Sequence, residues 1–257
     1  MRRVLTSLAL IPVVIYLVLL ANWWLVAAVV ALVACACFYE YRKLAAAYGF
    51  GAPSVLGYGA GLLILFVNTD PWPWLVLVLA GMIALALAMR DEDLRQSLPR
   101  AALLVTGVVY AFGCWKCALA LRAQNPHWLM YALIVSWAGD IGGYYIGRSF
   151  GRRRLAERIS PNKTWEGTAA SLVCSAAIAG AYLLRFVPGV PALQAVLLTL
   201  AANAAGQVGD LAESVIKRGA GAKDSGAVLP GHGGMLDRVD SALFVLPVVY
   251  AYVRLTG

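Results

Sequence analysis

Residues 192–218 read ALQAVLLTLAANAAGQVGDLAESVIKR. From 192 to 212 the run is long and apolar enough to cross a bilayer, which takes about 20 residues of helix. Helical spacing gathers Asn203, Gln207, Asp210, Glu213 with Ser214, and Lys217 on one face. A carboxylate inside a membrane helix costs about 2.5–3.5 kcal/mol on insertion scales, so such groups turn toward a protein interior or a wet cavity. A helix merely emerging into the cytoplasm accounts for Lys217 and Arg218, but not for a stripe that begins two turns earlier in apolar surroundings. Gly206 and Gly209 permit close backbone approach, by a neighbouring helix or by a ligand. The stretch predicts a membrane helix that carries part of a site.

The rest of the chain repeats the apolar half of that pattern. Of 257 residues, 61% are apolar and 13% charged, and the mean hydropathy is +0.76. An ordinary soluble domain carries about 25% charged residues, which excludes a soluble single domain and a disordered chain. Apolar segments fall at 4–20, 23–41, 55–67, 74–89, 101–121, 128–146, 168–186, 192–212 and 241–253, with the eighth expected to stay helical to about Lys217. The predicted fold is all-α: a polytopic integral membrane protein of about nine transmembrane helices. The first segment opens like a signal peptide, but no A-x-A-like site follows, so a retained helix ending at an interfacial Trp23-Trp24 anchor is expected. The five cysteines, Cys35, Cys37, Cys114, Cys117 and Cys174, sit in apolar runs and read as buried thiols. Cys114-Trp-Lys-Cys117 spells C-x-x-C without a second pair at zinc spacing.

Charge chooses the orientation. The net charge is +8, from 21 Lys and Arg against 13 Asp and Glu. In a soluble protein that balance would raise nucleic acid as a partner; here it reads as loop charge, because cytoplasmic loops collect Lys and Arg and attract anionic headgroups. With the N-terminus cytoplasmic, seventeen of the 21 basic residues fall on the inner side, three (Arg122, Arg185, Arg254) on the outer side, and Lys116 within a helix. The expected location is the cell (inner) membrane, with the C-terminus outside and the site facing the cytoplasm.

Acidic residues change habit near residue 125. Before it they stay at helix ends and loops: Glu40, Asp70 and Asp91-Glu92-Asp93. After it they enter helices, and the inner loops become rich in Gly, Lys and Arg. The expected division is a scaffold over 1–125 and a catalytic region over 126–257. In the catalytic region, Gly219-Ala-Gly221-Ala-Lys223-Asp224-Ser225-Gly226 and Leu229-Pro230-Gly231-His232-Gly233-Gly234 supply flexible backbone. Backbone of that kind can turn its N–H groups toward phosphate oxygens, while Lys217, Arg218 and Lys223 add charge. Asp237 and Asp240, at i and i+3, lead into the last helix and can share a face. Asp237 and Asp210 would approach from two helices, and hard carboxylates beside a polyphosphate suit Mg²⁺. The plainer alternative for Asp240 is the N-cap of that helix. Ser136, Asp140 and Tyr144 recur at i, i+4 and i+8 among Gly139, Gly142 and Gly143. Helix packing explains those glycines but not Asp140. Ser160 or Thr164 with Glu166 can be helix capping, and Arg152-Arg153-Arg154 is a topology signal first and a lipid-phosphate contact second. His127 reads as a loop residue; His232 orients phosphate or shapes the turn.

Together these residues resemble the phosphatidate cytidylyltransferase (CDP-diacylglycerol synthase) family. The family's C-terminal motif is matched by Ser214-Val-Ile-Lys217-Arg218, Lys223-Asp224-Ser225-Gly226, Leu229-Pro230, His232-Gly233-Gly234 and Asp237-Arg238-Val-Asp240. Ser160-Pro-Asn-Lys-Thr-Trp-Glu-Gly167 resembles a second motif, and Asp140-Ile-Gly-Gly-Tyr144 a third. The match covers about 130–257 by motif and the first half by hydrophobic character. The resemblance implies an enzyme making CDP-diacylglycerol and pyrophosphate from CTP and phosphatidate, for phospholipid biosynthesis. It also implies Mg²⁺ dependence with Asp210 and Asp237 as ligands, K⁺ as a second cation in some members, and a homodimer. Catalytic roles then fall to Asp210, Lys217, Arg218, Asp237 and Asp240. Substrate contacts fall to Asp140, Ser160, Lys163, Thr164, Glu213, Ser214, Lys223, Asp224, His232, Gly233, Gly234 and Arg238.

The chemistry of the residues agrees. A phosphomonoester with second pKa near 6 is already mostly dianionic at neutral pH, so its attack on the α-phosphorus of CTP needs no general base. The protein must hold two polyanions in line and neutralise developing charge. Two alternatives share parts of the pattern. A CTP-dependent membrane lipid kinase would release CDP instead of pyrophosphate. A transporter would need access from both faces, whereas the polar residues cluster toward the inner side.

Overall fold

A computed structural model of the chain describes residues 2–51, 54–90, 93–227 and 233–256, with side chains from Ile11 onward. The order is α1 (Arg2–Leu19), α2 (Trp23–Ala47), α3 (Ser54–Phe66), α4 (Trp72–Ala88), α5 (Ser97–Val108), α6 (Cys114–Gln124) and α7 (Pro126–Phe150). A hairpin of β1 (Arg154–Ala156) and β2 (Ser160–Thr164) follows, then α8 (Trp165–Phe186), α9 (Ala192–Gly219) and α10 (Leu236–Thr256). A π turn at Val109–Gly113 joins α5 to α6, so that Leu94–Gln124 is one helical rod.

Among the described residues, five helical stretches are long and apolar enough to cross a membrane: α2, the α5–α6 rod, α8, α9 and α10. The chain is therefore a helical, polytopic membrane protein, and the expected nine spans are reduced to five supported by length and composition. At 13 and 17 residues, α3 and α4 fall short of a bilayer. The 25-residue α7 has the length, but Gly139, Asp140, Gly142, Gly143, Gly147 and Arg148 dilute its apolar character. The helical class holds, and a short hairpin interrupts it. This hairpin pairs Arg154 with Thr164 and Ala156 with Ser160, antiparallel, with an irregularity between.

The helix starts are chemically marked. Asn22 Oδ1 accepts from Leu25 N at 2.8 Å at the head of α2. Asn125 Oδ1 accepts from His127 N at 2.9 Å, with Pro126 in the first turn of α7. Thr164 is the N-cap of α8, its Oγ1 accepting from Gly167 N at 3.1 Å. Glu166 does not complete a capping box with it. Its carboxylate instead accepts from Arg152 N and Arg153 N at 3.1–3.3 Å, pinning the chain where it enters the hairpin.

By contacts the chain divides into two units. The first comprises Met1–Val26, Ala120–Val215 and Val239–Gly257. Within it α7 and α8 pack glycine face to small-residue face: a Cβ at Gly142 would strike Cys174, and one at Gly139 would strike Asn203, Ser171 and Ser175. Gly206 and Gly209 of α9 lie against Ser241, Val245 and Phe244 of α10, so their close approach serves a helix rather than a ligand. A buried polar layer ties α7, α8 and α9 together. Tyr131 and Thr199 hydroxyls meet at 2.8 Å, Ser175 Oγ donates to Val135 O at 2.8 Å, and Asn203 Nδ2 donates to Ser171 and Ser175.

The second unit comprises Ala27–Leu119 and Ile216–Arg238. Its core is Phe38, Leu65, Leu104, Val108 and Phe112, all essentially inaccessible. The Phe38 and Phe112 rings are 5.5 Å apart, and both press on glycines, Phe38 on Gly57 and Phe112 on Gly61. The π turn buries Tyr110, Ala111 and Phe112 in succession, which an α-helical turn, with its 100° step, presents less easily. Large apolar side chains such as Leu32, Leu63 and Ile83 here, and Val173 and Val208 in the first unit, remain exposed as lipid contact requires.

Candidate active site

In the first unit, a cleft of about 660 Å³ opens along the glycine face of α7. Asp140, Tyr144 and Arg148 line it from α7, and Arg154, Asn162, Lys163 and Thr164 from the hairpin. Thr168 and Ser171 contribute from α8, and Gln207 and Asp210 from α9. Four elements thus bring together residues that the sequence keeps 70 positions apart. Lys163 Nζ stands 2.6 Å from Asp210 Oδ2, the two side chains 24% and 33% exposed. Arg148 Nη1 donates to the Tyr144 hydroxyl at 2.8 Å. Gln207 Nε2 donates to Asn203 Oδ1 at 2.7 Å, which fastens the cleft to the buried polar layer beneath.

The cleft therefore carries both signs of charge: carboxylates from α7 and α9, and cations from α7 and the hairpin. Mg²⁺ keeps several waters and takes only one or two protein carboxylates, with substrate phosphates filling the rest. Asp210 offers one such carboxylate to the cleft, with Asp140 lining it as well and Asp237 outside it, and no group of three or more His, Cys, Asp or Glu is gathered among the described residues. Ser160 lies in β2 outside the cleft lining, and Glu213, fully buried on α9, and half-buried Ser214 also lie outside it. Thr164 lines the cleft while its hydroxyl serves the α8 cap.

In the second unit, Asp237 is wrapped in donors. Lys217 Nζ approaches Oδ1 at 2.5 Å, with the two side chains 12% and 11% exposed. Oδ2 accepts from Ser225 N at 2.9 Å, Ser225 Oγ at 2.9 Å and Gly234 N at 2.8 Å. Gly233 adopts φ +79°, and a Cβ there would sit 2.9 Å from Asp237 Oδ2, so glycine is required twice over. The Lys217 end of this cluster is braced by Tyr48, whose hydroxyl donates to Ile216 O at 2.9 Å. Arg218 donates to Ala222 O at 3.3 Å, while Lys223, Asp224 and Arg238 are exposed. His232, with Leu229, Pro230 and Gly231 of the same motif, lies outside the described residues.

Asp240 is not the N-cap of the last helix. Because α10 begins at Leu236, Asp240 lies a turn inside it, and its Oδ1 accepts from Ser241 N at 2.7 Å. The capping task falls to a residue that the sequence reading left among the scaffold acids. Glu40, buried on α2, accepts from Met235 N at 2.9 Å and Leu236 N at 2.8 Å. An acid inside a 25-residue apolar helix is the signal that marks Asp210, and applied evenly it marks Glu40 too. Arg154, read from sequence as a topology signal and then a lipid-phosphate contact, lines the cleft, as does Asn162 of the second motif; Arg148 had no signal of its own.

Residues 1–256 match the model of the family described as "Cytidylyltransferase family". The chain is similar to the phosphatidate cytidylyltransferase of Bacillus subtilis (strain 168), at 39% identity over 155 residues, 59% of this chain and 58% of that protein. It is similar to the protein of the same name in Staphylococcus haemolyticus (strain JCSC1435), at 42% over 156 residues, and in Staphylococcus aureus (strain COL), at 41% over 157, each covering 60% of both chains. The chain thus spans about three fifths of the length of the curated relatives it matches.

Proposed function

We propose, on the premise that this chain belongs to the cytidylyltransferase family, that it transfers the cytidylyl group of CTP to phosphatidate, giving CDP-diacylglycerol and pyrophosphate. The observation that supports this most is the cleft in which Asp140 and Asp210 face Lys163, Arg148 and Arg154. Such a cleft suits a reaction between two polyanions. A phosphate oxygen of phosphatidate forms the new bond to the α-phosphorus of CTP, the α–β anhydride bond breaks, and pyrophosphate leaves with the electron pair. The attacking group is already a dianion, so the residues have no proton to remove. Their work is to bind, to align and to oppose charge.

Lys163, Arg148 and Arg154 hold phosphate oxygens at the cleft. Lys217 and Arg218, with the glycine loop through Gly233 and Gly234, do so in the second cluster, with Lys223, Asp224, His232 and Arg238 as further substrate contacts. Asp210 and Asp237 are the proposed Mg²⁺ ligands, and Asp240 acts beside Asp237. The cation, when bound, supplies charge neutralisation at the polyphosphate. Ligation by Asp237 would exchange its Lys217 partner for the metal. K⁺ as a second cation, and a homodimer, belong to the same reading.

The orientation that suits a soluble nucleotide has the N-terminus and the site on the cytoplasmic face of the cell membrane. The purified chain in lipid nanodiscs, given CTP, phosphatidate and Mg²⁺, should release pyrophosphate and form liponucleotide, and chelation should stop both. Release of CDP with phosphorylated lipid would replace this function with a kinase.

A further inference from the structure

Glu40 is fully buried on α2, yet both of its carboxylate oxygens are in use at the start of α10, nearly two hundred residues away in sequence. Oε1 accepts from Met235 N at 2.9 Å; Oε2 accepts from Leu236 N at 2.8 Å and lies 3.1 Å from Ser225 Oγ. The same hydroxyl lies 2.9 Å from Asp237 Oδ2, and Asp237 N donates back to it at 3.3 Å. One serine thus bridges two carboxylates, one on the scaffold helix and one in the candidate site. The surrounding backbone is shaped to admit Glu40. A Cβ at Gly226 would lie 2.6 Å from its Oε1, and one at Gly234 would strike its carboxylate and Ser225 Oγ. Two glycines of the loop are therefore required by Glu40 rather than by a turn.

We infer that Glu40 is the positioning residue for Asp237: through Ser225 and the Met235 and Leu236 amides it fixes the loop-to-helix junction from which the Asp237 carboxylate faces Lys217. A buried carboxylate is costly unless its lone pairs are met by donors; the Met235 and Leu236 amides meet this one, and the Ser225 hydroxyl, whose single proton serves one carboxylate at a time, lies within reach of both Glu40 and Asp237. The bonds are charge-assisted and roughly twice as strong as neutral ones. Withdrawing either oxygen therefore loosens the junction, and Asp237 with it. The catalytic part of this inference rests on the function proposed above; the structural part does not.

The test compares wild type with Glu40→Gln, which keeps the size but replaces one acceptor with a donor facing backbone N–H groups. Amide hydrogen exchange of the full chain in nanodiscs should show at least tenfold faster exchange at Met235 and Leu236, with α3 to α6 unchanged. Unchanged protection there, or loosening spread evenly through the unit, overturns the inference. If Glu40→Gln is not recovered folded, Ser225→Ala takes its place: threefold or faster exchange at the same amides supports the bridge, and no change overturns it. In turnover, Glu40→Gln should lower kcat at least tenfold, and adding it to Ser225→Ala should cost clearly less than the sum of the two separate losses. Additive losses would make Glu40 merely structural. A wild-type chain without transferase activity would refute the proposed function while leaving the exchange result to decide on Glu40.

Discussion

Replacing Asn203 with Leu should destabilise the first unit by about 2 kcal/mol and blunt the cleft above it. Asn203 is 4% exposed, and its amide joins α9 to α8 through bonds to Ser171 Oγ at 3.0 Å and Ser175 Oγ at 2.8 Å. Its Oδ1 receives the Gln207 amide at 2.7 Å. Leucine fills a similar volume and makes none of these bonds. Interhelical hydrogen bonds in membranes average about 0.6 kcal/mol; the two bonds to α8, with the Gln207 bond inside α9 taken at the same value, come to roughly 2 kcal/mol, about a 30-fold change in the folding equilibrium. The partners fare unequally: Ser175 keeps Val135 O at 2.8 Å, whereas Gln207 retains only the 3.4 Å contact with Thr168 O. Gln207 lines the cleft, so a several-fold loss of turnover should accompany the loss of stability. Steric trapping in bicelles measures the first and pyrophosphate release the second. Ser175→Ala, which removes the bond from Asn203 and the bond to Val135 O, should cost about two thirds as much. An Asn203→Leu protein within 0.5 kcal/mol of wild type would refute the account of the polar layer as interhelical glue.

Asp210→Asn and Asp237→Asn should each abolish nearly all activity while inserting and purifying normally; near-native Mg²⁺ dependence in either would refute its place as a ligand. Lys217→Ala and Arg218→Ala should each lower kcat/KM by an order of magnitude or more, because each removes charge that opposes the polyphosphate, and normal turnover in both would return them to interfacial anchors. Single cysteines at Arg154 and Ala222 should react with impermeant maleimide only after the cytoplasmic face is opened; labelling from outside would invert the proposed topology.

What the sequence made legible, and what it hid, divides along the range of the interactions. The stripe on α9 follows from one helical period, and Asn203, Gln207 and Asp210 do share a side. Their fates differ because α8 crosses that side: Asn203 is sealed against Ser171 and Ser175, while Asp210 reaches the cleft and Lys163. Periodicity gives the face but not the depth at which a neighbour closes it. The hairpin was invisible for a related reason. Ser-Pro-Asn-Lys-Thr has no strand alternation, and Pro161 argues against a ladder. A long-range anchor steadies it: Glu166 holds the Arg152 and Arg153 amides, and Trp165 N donates to Arg153 O at 3.0 Å.

Glu40 carries that argument to its end. As a lone acid on an apolar helix it has no motif around it, and the donors that make it intelligible lie near residues 225 and 236. The glycines at 226 and 234 read from sequence as phosphate-binding backbone, yet both have Glu40 where a side chain would go. A glycine loop can answer to a buried scaffold carboxylate and to a ligand at once, since one face of its backbone meets each. Motif spacing records the sum of those demands, and only the fold separates them: Gly226 and Gly234 answer to α2, and Gly233, at φ +79° beside Asp237, answers to the candidate site. Division of the chain into an inert first half and a working second half therefore understates α2, because the loop geometry that orients Asp237 is set in part from the scaffold side.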